Sequence, residues 1–122
     1  MAELIRKPQL MAKLQAEVRS VVPRGQEIVT EEQLGRMPYL KAVIKETLRL
    51  HLAGPLLVPH LSIAECDIEG YTIPSGTRVF VNAWALSRDP SFWENAEEFI
   101  PERFLNSTAP DYNGNNFHFL PF

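Results

Sequence analysis

The residues with chemistry to offer are few, and two of them sit close together. Glu46 and Arg49 lie in Lys45-Glu-Thr-Leu-Arg49, a spacing of i, i+3. On a helix this makes a carboxylate and a guanidinium neighbours on one face. Both fall opposite the apolar stripe of their own segment, so spacing alone reads them as a solvated surface pair. Such a pair is worth about 0.5 kcal/mol or less. A second charged group, Arg103, stands in Pro101-Glu-Arg-Phe104, and alone it reads as a surface charge. Of the histidines, His60 follows an apolar stretch, and His51 and His118 are isolated. The one cysteine, Cys66, sits in Ala-Glu-Cys-Asp-Ile-Glu, with no glycine-rich loop around it. No His, Cys or carboxylate pair has metal-ligand spacing. The expectation is therefore no metal site and an inert thiol.

Helices must position the first pair. Met1–Lys7 is a short amphipathic piece ended by Pro8, because the residue before a proline resists the helical region. Pro8 suits the first turn of a second helix, with Leu10, Met11, Leu14 and Val18 at helical spacing and an end near Val22-Pro23. Thr30 with Gln33 forms a capping-box pattern that opens a short helix to Gly35. Pro38 opens the clearest helix: Leu40, Val43, Ile44, Thr47, Leu48 and His51 follow one face. Leu52–Pro59 is apolar and extended. The period then becomes two, predicting strands at Cys66–Ile68, Tyr71–Ile73 and Arg78–Asn82, with a β-turn at Pro74–Thr77. Ala83–Leu86 opens another short helix, and Asn106–Asn116 reads as a surface loop. The fold class is mainly α with a small β hairpin or sheet.

Composition excludes several classes. The 122 residues suit one small domain or part of a larger one, and a net charge of -3 without a Lys/Arg stripe leaves no nucleic-acid footprint. One cysteine rules out a disulfide framework within the chain. No apolar run approaches the ~20 residues that cross a bilayer. Taken literally, the chain is soluble and cytoplasmic.

Together the motifs change the reading. Met37–His51 resembles the K helix of cytochromes P-450, with Glu46 and Arg49 as its Glu-x-x-Arg motif. Pro101–Phe104 is similar to the family's Pro-Glu-Arg-Phe motif. Gly54–Pro59, the hairpin Gly70–Pro74 and Arg88-Asp-Pro90 lie between them in the family's order. The wording is nearest to plant microsomal members. The resemblance implies a partial P-450 fold of J and K helices, β segment and meander: one domain over residues 1–122, incomplete at both ends. It implies that Glu46, Arg49 and Arg103 form a buried triad, against the surface-pair reading. It also implies that Pro55, Leu56 and Leu57 face a lipophilic substrate. His60 would stand near a haem propionate, in place of the usual arginine, with an ordinary exposed histidine as the alternative. Leu52-Ala53 replaces the usual Pro-Pro.

The family's haem-ligating thiolate lies beyond the segment matching Leu120-Pro-Phe122, and the oxygen-activating acid/alcohol pair lies before Met1. No catalytic residue is therefore expected in this chain, and haem is not expected to bind it. The first helices with Phe117, Phe119 and Phe122 should expose apolar surface. The intact family member implied is a haem monooxygenase of the endoplasmic reticulum membrane. It inserts one oxygen atom from O2 into a lipophilic molecule, with electrons from an NADPH-dependent flavoprotein reductase. The alternative is a non-catalytic truncated product or interaction protein keeping the same region.

Overall fold

The computed structural model describes residues 1–106, 108–111 and 116–120. Four helices come first: α1 (Ala2–Arg6), α2 (Pro8–Val21), α3 (Glu31–Gly35) and α4 (Pro38–Leu50). Pro8 and Pro38 each occupy a first turn, where a missing N–H leaves no hydrogen bond unmade. Thr30 and Gln33 close a full capping box at the start of α3. A β region follows, with strands β1 (His60–Leu61), β2 (Cys66–Ile68), β3 (Tyr71–Ile73) and β4 (Arg78–Val79). Then come α5 (Ala83–Leu86), a long irregular segment and a 3-10 turn at Pro101–Phe104.

The β region forms two antiparallel pairs. β2 pairs with β3 through Cys66↔Ile73, Asp67↔Thr72 and Ile68↔Tyr71. The loop between them is Glu69-Gly70, with φ of 48° and 84°. Positive φ at both central residues marks the tight turn whose twist matches a hairpin. β1 pairs with β4 through His60↔Val79 and Leu61↔Arg78. This pairing corrects two expectations. The strand predicted at Arg78–Asn82 ends at Val79, and His60–Leu61 supplies a strand that period-two alternation does not reveal. Two residues are too few to alternate. The turn at Pro74–Thr77 is present, with Gly76 at φ 79° and the Thr77 amide donating to the Pro74 carbonyl at 3.3 Å.

Packing centres on α4, between two apolar clusters. One joins Leu4, Tyr39, Val43, Leu50 and Phe99; the other joins Ala42, Trp93, Ala96, Phe104 and Phe119. The buried face of α4 is not the stripe that periodicity selects. Tyr39, Ala42, Val43, Glu46, Arg49 and Leu50 are buried, while Ile44 is 47% exposed. The irregular segment after α5 covers the charged side of the helix. Meanwhile Leu40, Ile44 and Leu48 line an open apolar groove with Leu4 and Leu14, of about 260 Å³. Exposed apolar surface does appear on the first helix at Ile5, just before it at Met1, and at Phe117. Phe119 contradicts the expectation: it is 1% exposed, packed tilted against Phe104 and edge-on to Trp93. Phe122 lies outside the described residues, as do Ser107 and 112–115 of the predicted Asn106–Asn116 loop.

Candidate functional site: a buried carboxylate between two guanidinium groups

Glu46 and Arg49 are both 0% exposed, which overturns the solvated-pair reading. α4 sets them one turn apart, and their forks meet in parallel: Arg49 Nε donates to Glu46 Oε2 at 2.8 Å and Nη2 to Oε1 at 2.9 Å. This bidentate geometry is the one a planar guanidinium offers a carboxylate. The third group arrives from the 3-10 turn. Arg103 Nε donates to Glu46 Oε1 at 3.1 Å, with its side chain 13% exposed. The Ile100 amide donates to the same oxygen at 2.8 Å. Glu46 thus accepts four hydrogen bonds, three of them from guanidinium N–H groups.

Arg49 has five N–H donors to place, and a buried donor left empty costs about 1–3 kcal/mol. Two go to Glu46. Nη1 donates to the carbonyls of Ser87 at 2.6 Å and Ala96 at 2.7 Å, and Nη2 to that of Glu98 at 3.0 Å. All five are satisfied. Those carbonyls belong to the irregular segment, so one guanidinium binds together three stretches that lack regular structure. Arg103 does the same on the other side, donating to the Glu94 carbonyl at 3.0 Å.

Sequence reasoning missed Trp93 and the backbone acceptors. The Arg49 guanidinium lies 5.2 Å from the Trp93 ring centroid and that of Arg103 5.8 Å. An aromatic face shared by two cations contributes about 0.5–2 kcal/mol per contact. The Trp93 Nε1 donates to the Leu86 carbonyl at 3.2 Å, which fixes the ring. The available signal was the aromatic run Phe92, Trp93 and Phe99, but backbone carbonyls leave no trace in residue types.

The other predicted residues lie apart from this cluster. His60 is exposed on β1, paired with Val79. Pro55, Leu56 and Leu57 form a turn in which the Leu57 amide donates to the Gly54 carbonyl at 3.0 Å, and Leu57 takes φ 52°. The Pro55 carbonyl accepts from the Trp84 amide at 3.0 Å, which ties the turn to α5. Leu56 is 47% exposed. Cys66 is exposed on β2. His51 meets Glu3 at 3.2 Å, and His118 stacks on Phe92.

The cytochrome P450 family model matches residues 1–122, the whole chain. This chain belongs to the cytochrome P450 family. It is 59% identical to an indole-2-monooxygenase of Zea mays over 125 residues, covering 100% of this chain and 23% of that protein. It is 56% identical to cytochrome P450 71A1 of Persea americana over 122 residues, covering 100% of this chain and 24% of that protein. Among solved structures, a zebrafish cytochrome P450 with abiraterone superimposes with a TM-score of 0.82 at 36% identity, covering 98% of this chain and 26% of that one. The chain therefore spans about a quarter of the length of its curated P450 relatives.

P450 proteins use haem iron. A thiolate ligand needs backbone N–H groups turned towards its sulfur. Cys66 instead occupies a strand in register with Ile73, exposed and outside any such loop. Among the described residues, no group of three or more His, Cys, Asp or Glu side chains converges on a metal position. Placed on that strand, Cys66 does not fit a haem thiolate ligand. Nor, among the described residues, is any helix long and apolar enough to cross a membrane.

Proposed function

We propose that these 122 residues are the clamp segment of a longer P450 domain, holding the K helix to the meander by one carboxylate and two guanidinium groups. The observation that carries this is the four-bond environment of Glu46, buried at 0% exposure. A clamp of this kind performs no bond-making step. It fixes one helix against an irregular chain that regular hydrogen bonding cannot hold. Removing one member leaves a buried charge unpaired, at a cost of about 3–5 kcal/mol.

The activity of the whole protein, on this reading, is insertion of one oxygen atom from O2 into a lipophilic small molecule. Electrons come from an NADPH-dependent flavoprotein reductase at the endoplasmic reticulum membrane. The Pro55–Leu57 turn serves as one apolar wall of the substrate pocket, since an apolar lining suits such a ligand. His60 would be the residue that holds a haem propionate, in the position where the family usually has an arginine. The maize relative named for indole 2-monooxygenation makes a small aromatic molecule a reasonable first substrate to assay.

A chimera tests this. The matching segment of the maize enzyme is replaced by this chain, and the product is reduced and exposed to carbon monoxide. A thiolate-type Soret band is the expected result. A soluble, folded chimera that takes up no haem would overturn the proposal. Replacing His60 with Ala in the same chimera should lower haem retention, and unchanged retention removes His60 from the account.

A further inference from the structure

α4 carries Glu46 and Arg49, so the placement of that helix decides whether the clamp closes. Apolar packing holds one side of it, through Tyr39, Ala42, Val43 and Leu50, while the stripe through Leu40, Ile44 and Leu48 borders an open groove. The local sequence does not cap it. Met37 stands at the N-cap and makes no side-chain cap bond. The first-turn amides of Tyr39 and Leu40 donate instead to Glu17, at 2.8 Å to Oε1 and 2.8 Å to Oε2. Glu17 belongs to α2, so both carboxylate oxygens reach across from another helix.

The last turn is held from outside as well. Arg88 Nη2 donates to the Leu50 carbonyl, an end group with no partner inside the helix. Its Nη1 donates to Ser87 Oγ at 3.3 Å, its guanidinium lies 4.5 Å from the Trp84 ring centroid, and its Nε faces Glu97 Oε2 at 3.4 Å. An anion therefore meets the start of α4 and a cation its end, the signs a helix dipole favours.

We infer that Glu17 and Arg88 are positioning residues, which grip α4 at its two ends and set its rotation so that Glu46 meets Arg103 and the Ile100 amide. The link to haem binding rests on the clamp-segment reading, but the grip itself is a property of this chain. Both residues act through α4, and neither touches Glu46.

Backbone amide exchange in the full chain tests the inference, with Glu17→Ala, Glu17→Gln, Arg88→Ala and Arg88→Lys as variants. Loss of a cap opens the first turn, so exchange at Tyr39 and Leu40 should rise roughly five- to tenfold in Glu17→Ala. Glu17→Gln, with one acceptor oxygen left, should fall between it and the parent. The deciding amide is Ile100, whose acceptor is Glu46 Oε1. Its exchange should rise in both alanine variants and recover in part with Arg88→Lys. Parent-like exchange at Ile100, with losses confined to Tyr39 and Leu40, would reduce Glu17 to a local cap and overturn the inference. If an alanine variant loses protection at every amide, Glu17→Gln and Arg88→Lys decide by the same criterion. A chimera that takes up no haem would sink the functional reading and leave these exchange results standing.

Discussion

At the scale of the residue, Arg49 is the clamp side chain that reaches the most separate stretches of chain. It fills five donors with three backbone carbonyls and both oxygens of Glu46. Lysine keeps the charge but offers three donors and no fork, and four acceptors have no donor but Arg49 among the described residues, so Arg49→Lys strands at least one of them. The expected loss is about 2 kcal/mol or more, read from urea unfolding. Two neighbouring groups give the chain a pH signature. The Tyr39 phenol is pushed up to about 12, first by burial and then by the Glu102 carboxylate, to which it donates at 3.2 Å. The folded state thus favours the neutral phenol. That stability is complete below the ordinary value of ~10 and is lost as pH rises from there through the folded value. The difference in melting temperature between parent and Tyr39→Phe should accordingly shrink across that alkaline window. Glu102 moves the other way. Burial pushes its carboxyl up, but the Lys13 hydrogen bond, its own backbone N–H, the Lys13 charge and the Tyr39 hydroxyl outweigh burial and leave it lowered. Its contribution is present above the ordinary ~4.3 and is lost as pH falls through the folded value. Glu102→Gln should therefore blunt the acid loss of stability, and an acid limb identical to the parent's would contradict the assignment.

At the scale of the element, the parts legible in the sequence are those built from local rules. Proline at two helix starts, the Thr30–Gln33 box and the Pro74–Thr77 turn depend only on near neighbours. Thr30→Ala should cost about 1 kcal/mol, local to α3, and show as loss of protection at the Gln33 amide. What was not legible was the face α4 buries. Periodicity ranks Ile44 inside and Glu46 outside, and the structure reverses them. Hydrophobic patterning detects burial driven by water exclusion. It cannot see burial secured by hydrogen bonds to Ser87, Ala96, Glu98 and Ile100, whose backbone groups are the same in every sequence. The motif resemblance, by contrast, singled out Glu46, Arg49 and Arg103 without needing that periodicity. The β1–β4 pair was missed for a different reason, since two residues carry no pattern.

At the scale of the whole molecule, irregular chain is fastened to α4 by charge while one apolar side of the helix stays open. The groove along Leu40, Ile44 and Leu48, with Met1 and Ile5 exposed, leaves hydrophobic stabilisation incomplete for a chain of this length. Stability should therefore depend on the charged clamp more than in a domain with a closed core. The thiol makes a separate forecast: mixed with haem, reduced and given carbon monoxide, this chain should show no thiolate-type Soret band, because Cys66 is an exposed strand residue. Such a band, lost in Cys66→Ser, would show that the sulfur reaches iron. The most direct test of the central claim is urea unfolding of Glu46→Ala beside the parent chain. Two guanidinium groups left without their carboxylate predict a loss of about 3–5 kcal/mol. Superimposable unfolding curves would mean that Glu46, Arg49 and Arg103 hold nothing together.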